Sequence, residues 1–184
     1  MKTFFLPLLI SFLLLSCGRK DDENTNPVSQ LPPATTIGAN TIGCLVNGEV
    51  FLPRQNNPLG PSSSNCYYQF VDGGWEFNLG ISNDKFSPLR SIDIDTNKKE
   101  LEQGNIYTIS SETSSNSLFA FYLLGGGLYG GYRTTDSYTG QLKITKLDKV
   151  NHIISGTFYF DAIRLNTGEI IKITEGRFDM QYNP

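Results

Sequence analysis

Apolar and polar residues alternate with a period of two over short segments of the chain from about residue 41 onwards. Such alternation is typical of β-strands that bury one face. The apolar positions of these segments are Trp75, Phe77, Leu79 and Ile81, then Ile92 and Ile94, Leu142 and Ile144, and Phe158 and Phe160. No long helical period follows the amino-terminal apolar run. About ten short strands therefore predict an all-β domain, an antiparallel β-sandwich or a flattened barrel.

The last segment departs from simple alternation. Its apolar residues Ile171 and Ile173 occupy odd positions, whereas Phe178 and Met180 occupy even ones. A flat strand cannot bury both sets on the same face. We therefore predict a β-bulge near Glu175-Gly176, with the glycine taking the unusual backbone dihedral.

Three further segments predict local structure. Asn47-Gly48 lies between two apolar pairs, which is a strong signal for a two-residue hairpin turn. The segment 118–123 is apolar at both odd and even positions, so we expect a central strand. Residues 98–103, followed by Gly104, predict a single helical turn that ends at the glycine.

The amino terminus carries an export signal. Lys2 precedes the mostly apolar run Phe4–Leu15, which is shorter than the roughly 20 residues that cross a bilayer as a helix. The run ends in Leu14-Leu15-Ser16-Cys17, which matches the bacterial lipobox. We predict cleavage after Ser16 and attachment of lipid to Cys17, where two or more acyl chains give durable anchoring. The alternative is an ordinary signal peptide with a chance cysteine at its end.

The predicted domain organisation has three parts. Residues 1–16 form the signal peptide, residues 17–40 a lipidated cysteine with a flexible tether rich in Asn, Ser, Thr and Pro, and residues 41–184 a single all-β domain. Lys20-Asp21-Asp22 resembles a sorting signal for the outer leaflet of the outer membrane, and the alternative is a solvated charged tether. We expect an outer-membrane lipoprotein, either surface-exposed or facing the periplasm.

The charge balance bears on the partners. The chain has 15 Lys and Arg against 18 Asp and Glu, for a formal net charge of −3. A mildly acidic chain without a basic cluster argues against nucleic-acid binding. The membrane, reached through the lipid anchor, is the predicted partner, together with a glycan or protein ligand.

Two cysteines remain once Cys17 is assigned to the lipid. Cys44 and Cys66 form an even pair in a chain predicted to be exported, where disulfides form and persist. We predict a Cys44–Cys66 disulfide that closes a loop rich in Pro, Asn and Ser. The alternative is two buried free thiols.

No catalytic, metal or cofactor motif is evident. The only histidine, His152, follows Asn151 in a predicted turn, where a solvent-facing side chain is the more common outcome. Asp93–Asn97 resembles the start of a calcium loop, but the sixth position is Lys98 and the twelfth is Gly104. The glycine-rich segment 125–131 lacks the Lys-Ser/Thr of a phosphate-binding loop and predicts a hairpin or a bulged strand.

Both ends of the predicted domain show a family resemblance. The opening segment Gly38–Phe51 resembles that of uncharacterised Bacteroidota lipoproteins. The closing segments Ile154–Phe160 and Ile173–Asp179 are similar to the ending of the same proteins. The shared motifs are a hairpin turn, a cysteine and strand glycines. The resemblance implies an envelope location and a β-sandwich-like domain of unknown function, and it implies no active site.

The remaining candidates for ligand binding are tyrosines. Tyr129 and Tyr132 lie in the glycine-rich region, and tyrosine is a common platform for sugars and protein partners. The alternative is that they are half-buried strand residues. We expect a non-enzymatic, lipid-anchored domain with a binding or structural role. Two alternatives are a carbohydrate-binding surface lipoprotein and a hydrolase that uses two carboxylates.

Overall fold

The computed structural model describes the chain from residue 26 to residue 184. Outside this description lie residues 1–25, Pro58, Pro61, Ser114 and Gly126, together with the side chains of residues 127–130. The predicted signal peptide and Cys17 therefore fall outside the described residues. No helix in the described part has both the length and the apolar character needed to cross a bilayer.

One short 3-10 helix, Pro27–Gln30, precedes eleven strands. The strands are β1 (Thr41–Val46), β2 (Glu49–Phe51), β3 (Ser64–Val71), β4 (Gly74–Asn83), β5 (Arg90–Asn97), β6 (Ile106–Ile109), β7 (Ser117–Leu124), β8 (Gly127–Arg133), β9 (Gly140–Asp148), β10 (Ile153–Ile163) and β11 (Ile170–Gln181).

The strands form one curled antiparallel sheet, in the order β2-β1-β11-β10-β8-β7-β5-β4-β3, that makes a half-barrel. β9 pairs with β10 and with β6 beside this path. Past the end of β11, the backbone of Asn183 exchanges hydrogen bonds of 3.1 Å with Cys66 and Tyr68 of β3, the strand at the far end of the order. The prediction of an all-β antiparallel fold is confirmed.

The concave face of the sheet holds the core, and the period-two pattern identifies much of it. Phe77, Leu79 and Ile81 of β4 are each at most 2 % exposed, and Ile92 and Ile94 of β5 are equally buried. Because these residues alternate along their strands, one face of each strand packs into the interior of the curl. The predicted central strand is also confirmed, since β7 lies between β5 and β8.

The Asn47-Gly48 turn forms as predicted. It joins β1 to β2 with Val46 opposite Glu49, and both turn residues have positive φ, 50° at Asn47 and 85° at Gly48. These dihedrals fit the right-handed twist of the flanking strands.

The predicted bulge is confirmed, but the unusual backbone dihedral belongs to Glu175 and not, as predicted, to the glycine. The pairing between β10 and β11 shifts between Phe158 and Phe160, opposite Gly176 and Ile173. The positive φ, 55°, belongs to Glu175 and not to Gly176. Glycine is needed at 176 for space, because a Cβ there would lie 2.5 Å from the ring of Phe158.

The predicted helical turn at 98–103 is wrong. Lys98 has a φ of 52°, which takes the chain out of the helical region, and the segment is an irregular loop. The loop is held by Leu101, which is 1 % exposed and whose backbone N–H donates to the hydroxyl of Tyr68 over 3.0 Å. A tertiary contact therefore replaces the helical hydrogen bonds.

The described part of the predicted tether, residues 26–40, differs from a flexible chain because it packs on the sheet. Leu31 is 7 % exposed. Asp179 of β11 accepts hydrogen bonds from the Thr35 hydroxyl and from the backbone N–H groups of Ile37, Gly38 and Ala39. The ordered domain thus begins upstream of residue 41.

The predicted disulfide does not form in the structure. Cys44 on β1 and Cys66 on β3 are free thiols, 0 % and 3 % exposed, within the hydrophobic core. Burial raises the pKa of both thiols far above the ordinary value. An even number of cysteines in the sequence does not show whether two thiols lie close together. β1 and β3 are not neighbours in the sheet.

Candidate functional site

A cleft of about 390 Å³ opens at the end of the half-barrel where β1 and β10 end and β5 and β11 begin. This end brings together residues that are far apart in the sequence. The cleft is lined by Val46, Asn47, Glu49, Arg90, Tyr122, Leu124, Tyr132, Arg164, Glu169 and Ile171. Its polar side chains, two arginines, two glutamates, two tyrosines and one asparagine, are candidates for ligand binding.

Arg90 is positioned by an aromatic stack. Its guanidinium carbon lies 3.9 Å from the centre of the Phe86 ring, and Phe86 stacks in turn on the buried Phe51 with 6.3 Å between ring centres. The guanidinium lies beside the Tyr122 hydroxyl. Burial raises the pKa of Tyr122, and Arg90 opposes that rise, so the phenol stays protonated at neutral pH.

Arg164 is positioned by the tight loop that joins β10 to β11. Its backbone N–H donates to the Glu169 carbonyl over 2.8 Å, which brings the two side chains together. Its Nη1 lies 3.4 Å from Glu169 Oε2, and its guanidinium carbon lies 4.6 Å from the centre of the Tyr132 ring. The Nε of Arg164 is buried and has no hydrogen-bond partner among the described residues.

The two predicted tyrosines have different outcomes. Tyr132 lines the cleft, but it is only 5 % exposed, and its ring packs against Arg164 and, 5.7 Å away, Tyr122. It is therefore a buried part of the cleft wall and not an exposed platform. Tyr129 lies in β8, and its side chain is outside the described residues.

The arrangement is suited to binding. Arginine presents up to five N–H donors in a rigid plane and does not lose its proton in proteins. The phenols add donors that can also accept, and the glutamates add acceptors. No group of three or more His, Cys, Asp or Glu side chains that could hold a metal ion occurs in the described part of the chain.

A second cleft, of about 200 Å³, lies at the opposite end of the sheet. Its wall includes Trp75, which stacks on Tyr68 with 4.7 Å between ring centres, and Phe70, which is 62 % exposed. His152 lies in the predicted turn with a φ of 53° and packs on Tyr182 at 5.4 Å. Sequence reasoning missed this cluster because alternation assigned Trp75 to the core.

Asp93 and Asp95 face the same side of β5, away from the core. Burial raises the pKa of both carboxyls, to about 6 for Asp93, where the charge of Asp95 adds to the effect. Asn78 donates to Asp95 over 2.7 Å and Ser91 donates to Asp93 over 3.5 Å. Perturbed carboxyls mark candidate sites only together with a ligand-sized concavity, so the end cleft has the stronger geometry.

Comparisons with known proteins support a family and no named activity. No curated protein matches the chain, and no solved structure does. A family model described as a domain of unknown function, DUF6252, matches residues 87–180. The match begins just after Phe86, includes Arg90 at the start of β5 and runs nearly to the end of β11, and it covers just over half of the chain. The chain therefore belongs to the DUF6252 family.

Proposed function

We propose that this protein is a lipid-anchored binding protein of the cell envelope that holds a small polar ligand in the end cleft and catalyses no reaction. The observation that carries the proposal is the pair of guanidiniums, Arg90 on Phe86 and Arg164 on Tyr132, facing one concavity. Such stacking orients both groups before a ligand arrives, which lowers the cost of binding.

The envelope location rests on the sequence. Leu14-Leu15-Ser16-Cys17 has the form of a lipobox, and the charged segment Lys20-Asp21-Asp22 follows it. The resemblance to Bacteroidota lipoproteins at both ends of the domain supports the same location. We infer an outer-membrane lipoprotein whose domain is displayed next to the lipid surface.

A Cys17→Ser variant tests the anchor. In cells fed a radiolabelled fatty acid, the natural chain should take up label and partition into the detergent phase, whereas the variant should do neither. Ser29→Ala is the control, because this exposed serine lies outside the lipobox and its replacement leaves Cys17 in place. Equal labelling of the natural chain and Cys17→Ser would contradict the anchor.

A thermal-shift screen tests the cleft. The probes are single sugars, amino acids and small carboxylic acids, and a ligand that binds only the folded chain raises the Tm. Arg164→Ala should abolish the shift, whereas Arg54→Ala, which removes an exposed arginine outside the cleft, should preserve it. A hit whose shift survives Arg164→Ala would place the site elsewhere.

Carbohydrate binding at the second cleft is the alternative function. Phe70 is 62 % exposed and meets Trp75 at an interplanar angle of 73°, in a cleft that Gln69 and Lys149 also line. Open aromatic faces suit the apolar faces of sugars. Signals on a glycan array that disappear with Phe70→Ala would favour this function, and a flat array would count against it.

A further inference from the structure

We infer that the end cleft recognises a carboxylate, with Arg90 as the residue that binds it and Tyr122 as the second donor. This inference rests on the proposed function and adds the chemical class of the ligand. The ligand that fits is a small carboxylic acid with neighbouring hydroxyl groups, as in an acidic sugar.

The two arginines differ in whether an acidic side chain neutralises their charge. Arg164 is paired with Glu169 at 3.4 Å. In the described part of the chain, Arg90 forms no ion pair within 4.0 Å, although Glu49 lines the same cleft. An arginine that lines a cleft without an acidic partner leaves its charge available to an anionic ligand. The guanidinium of Arg90 is thus the group in the cleft that can bind an anionic ligand.

The surroundings of Arg90 favour a planar carboxylate. The guanidinium carbon of Arg90 lies 3.9 Å from the centre of the Phe86 ring, so the ring shields one side of the group and the N–H groups directed away from it remain available to a ligand. The edge of a guanidinium matches the two oxygens of a carboxylate in a bidentate pair. Tyr122 lines the same cleft beside the Arg90 guanidinium and can donate a third hydrogen bond, because its hydroxyl is protonated at neutral pH.

The other side of the cleft fits hydroxyl groups. Arg164 and Glu169 form an ion pair with no net charge, in which hydrogen-bond donors and an acceptor lie side by side. Vicinal hydroxyls of a sugar both donate and accept, so they can satisfy such a pair without adding charge. Together, the two sides select a ligand with an acid at one end and hydroxyls at the other.

Calorimetric titration of the full chain in detergent tests the inference with three matched probes: glucuronate, its methyl ester and glucose. We expect glucuronate to bind at least about tenfold more tightly than either neutral probe, since only it can form the charge-assisted pair. Arg90→Gln should remove most of this preference, and Tyr122→Phe should lower the affinity for glucuronate several-fold. Arg54→Gln should change neither.

The outcomes separate the inference from the proposed function. Equal affinity for glucuronate and glucose, both lost in Arg164→Ala, would overturn carboxylate recognition and keep the binding cleft. A preference for glucuronate that persists in Arg90→Gln would overturn the role of Arg90. Failure of all three probes, with a different compound active in the thermal-shift screen, would likewise overturn this ligand class. Far-ultraviolet circular dichroism and the Tm of each variant verify that it is folded.

Discussion

The carboxylate of Asp179 accepts a hydrogen bond of 2.6 Å from the hydroxyl of Thr35, which lies 144 residues earlier in the chain. Asp179 is fully buried and also accepts from the Ser155 hydroxyl at 2.7 Å. Backbone N–H groups of residues 37–39 complete its shell. One carboxylate thus fastens the segment that follows the predicted lipid anchor to the last strand.

Asp179→Asn should lower the free energy of unfolding by about 2 to 4 kcal/mol, because an amide replaces a charged acceptor of several hydrogen bonds. Urea denaturation measures the loss, and limited proteolysis should show new cleavage within residues 26–40. Glu175→Gln is the control, since its exposed ion pair with Arg177 contributes at most about 1 kcal/mol. An equal loss in both variants would contradict the special role of Asp179.

Asp179 also predicts an acid transition. Burial alone would raise its pKa, but the hydrogen bonds from Thr35, Ser155 and the backbone lower it to about 2. A depressed folded-state pKa gives stability that is present above the unfolded value, near 4, and is lost as pH falls towards 2. Asp179→Asn should therefore lose less stability than the natural chain between pH 4 and pH 2, as measured by urea midpoints.

The bulge makes opposite predictions for its two residues. Gly176→Ala should destabilise the domain by about 2 to 4 kcal/mol, because the new Cβ meets the ring and the carbonyl oxygen of Phe158. Glu175→Gly should be neutral or stabilising by up to about 1 kcal/mol, because it relieves the positive φ. Chemical denaturation of both variants measures the difference. Destabilisation by Glu175→Gly larger than that by Gly176→Ala would contradict these roles.

Cys44 and Cys66 should behave as protected free thiols. Both are buried, and burial raises the pKa of each, so neither is a reactive thiolate at neutral pH. Mass spectrometry should show that an alkylating reagent labels both thiols only after the chain is denatured. No reductant should be needed for this labelling. A Tm that falls on addition of dithiothreitol, or labelling that requires reductant, would contradict free thiols.

The ionised carboxylate of Asp93 should lower the free energy of unfolding at neutral pH. Its pKa is raised to about 6, so the folded chain gains stability as pH falls from 7 towards 4, where the carboxyl becomes neutral. Asp93→Asn should stabilise the chain at pH 7 by about 1 kcal/mol, less than the full shift implies because solvent screens a partly exposed group. Asp72→Asn, in an exposed turn with a φ of 48° that asparagine tolerates, should leave the pH profile unchanged.

The sequence alone determined the features that depend on neighbouring residues. Alternation along β4 and β5 identified the buried face, because side chains in a strand point to opposite sides in turn. Asn47-Gly48 specified its hairpin through backbone dihedrals, and the change of phase between Ile173 and Phe178 located the bulge. Each is a local rule of backbone geometry.

Only the tertiary structure decided what lies together across the sheet. Alternation tells which face a residue occupies but not which strand is its neighbour, so it could not separate Cys44 from Cys66 or bring Arg90 close to Arg164. Nor could composition show that Thr35 belongs to the domain, since its partner is Asp179 on the last strand. The cleft and the ordered tether exist because the sheet curls, and that curvature is a property of the whole sheet.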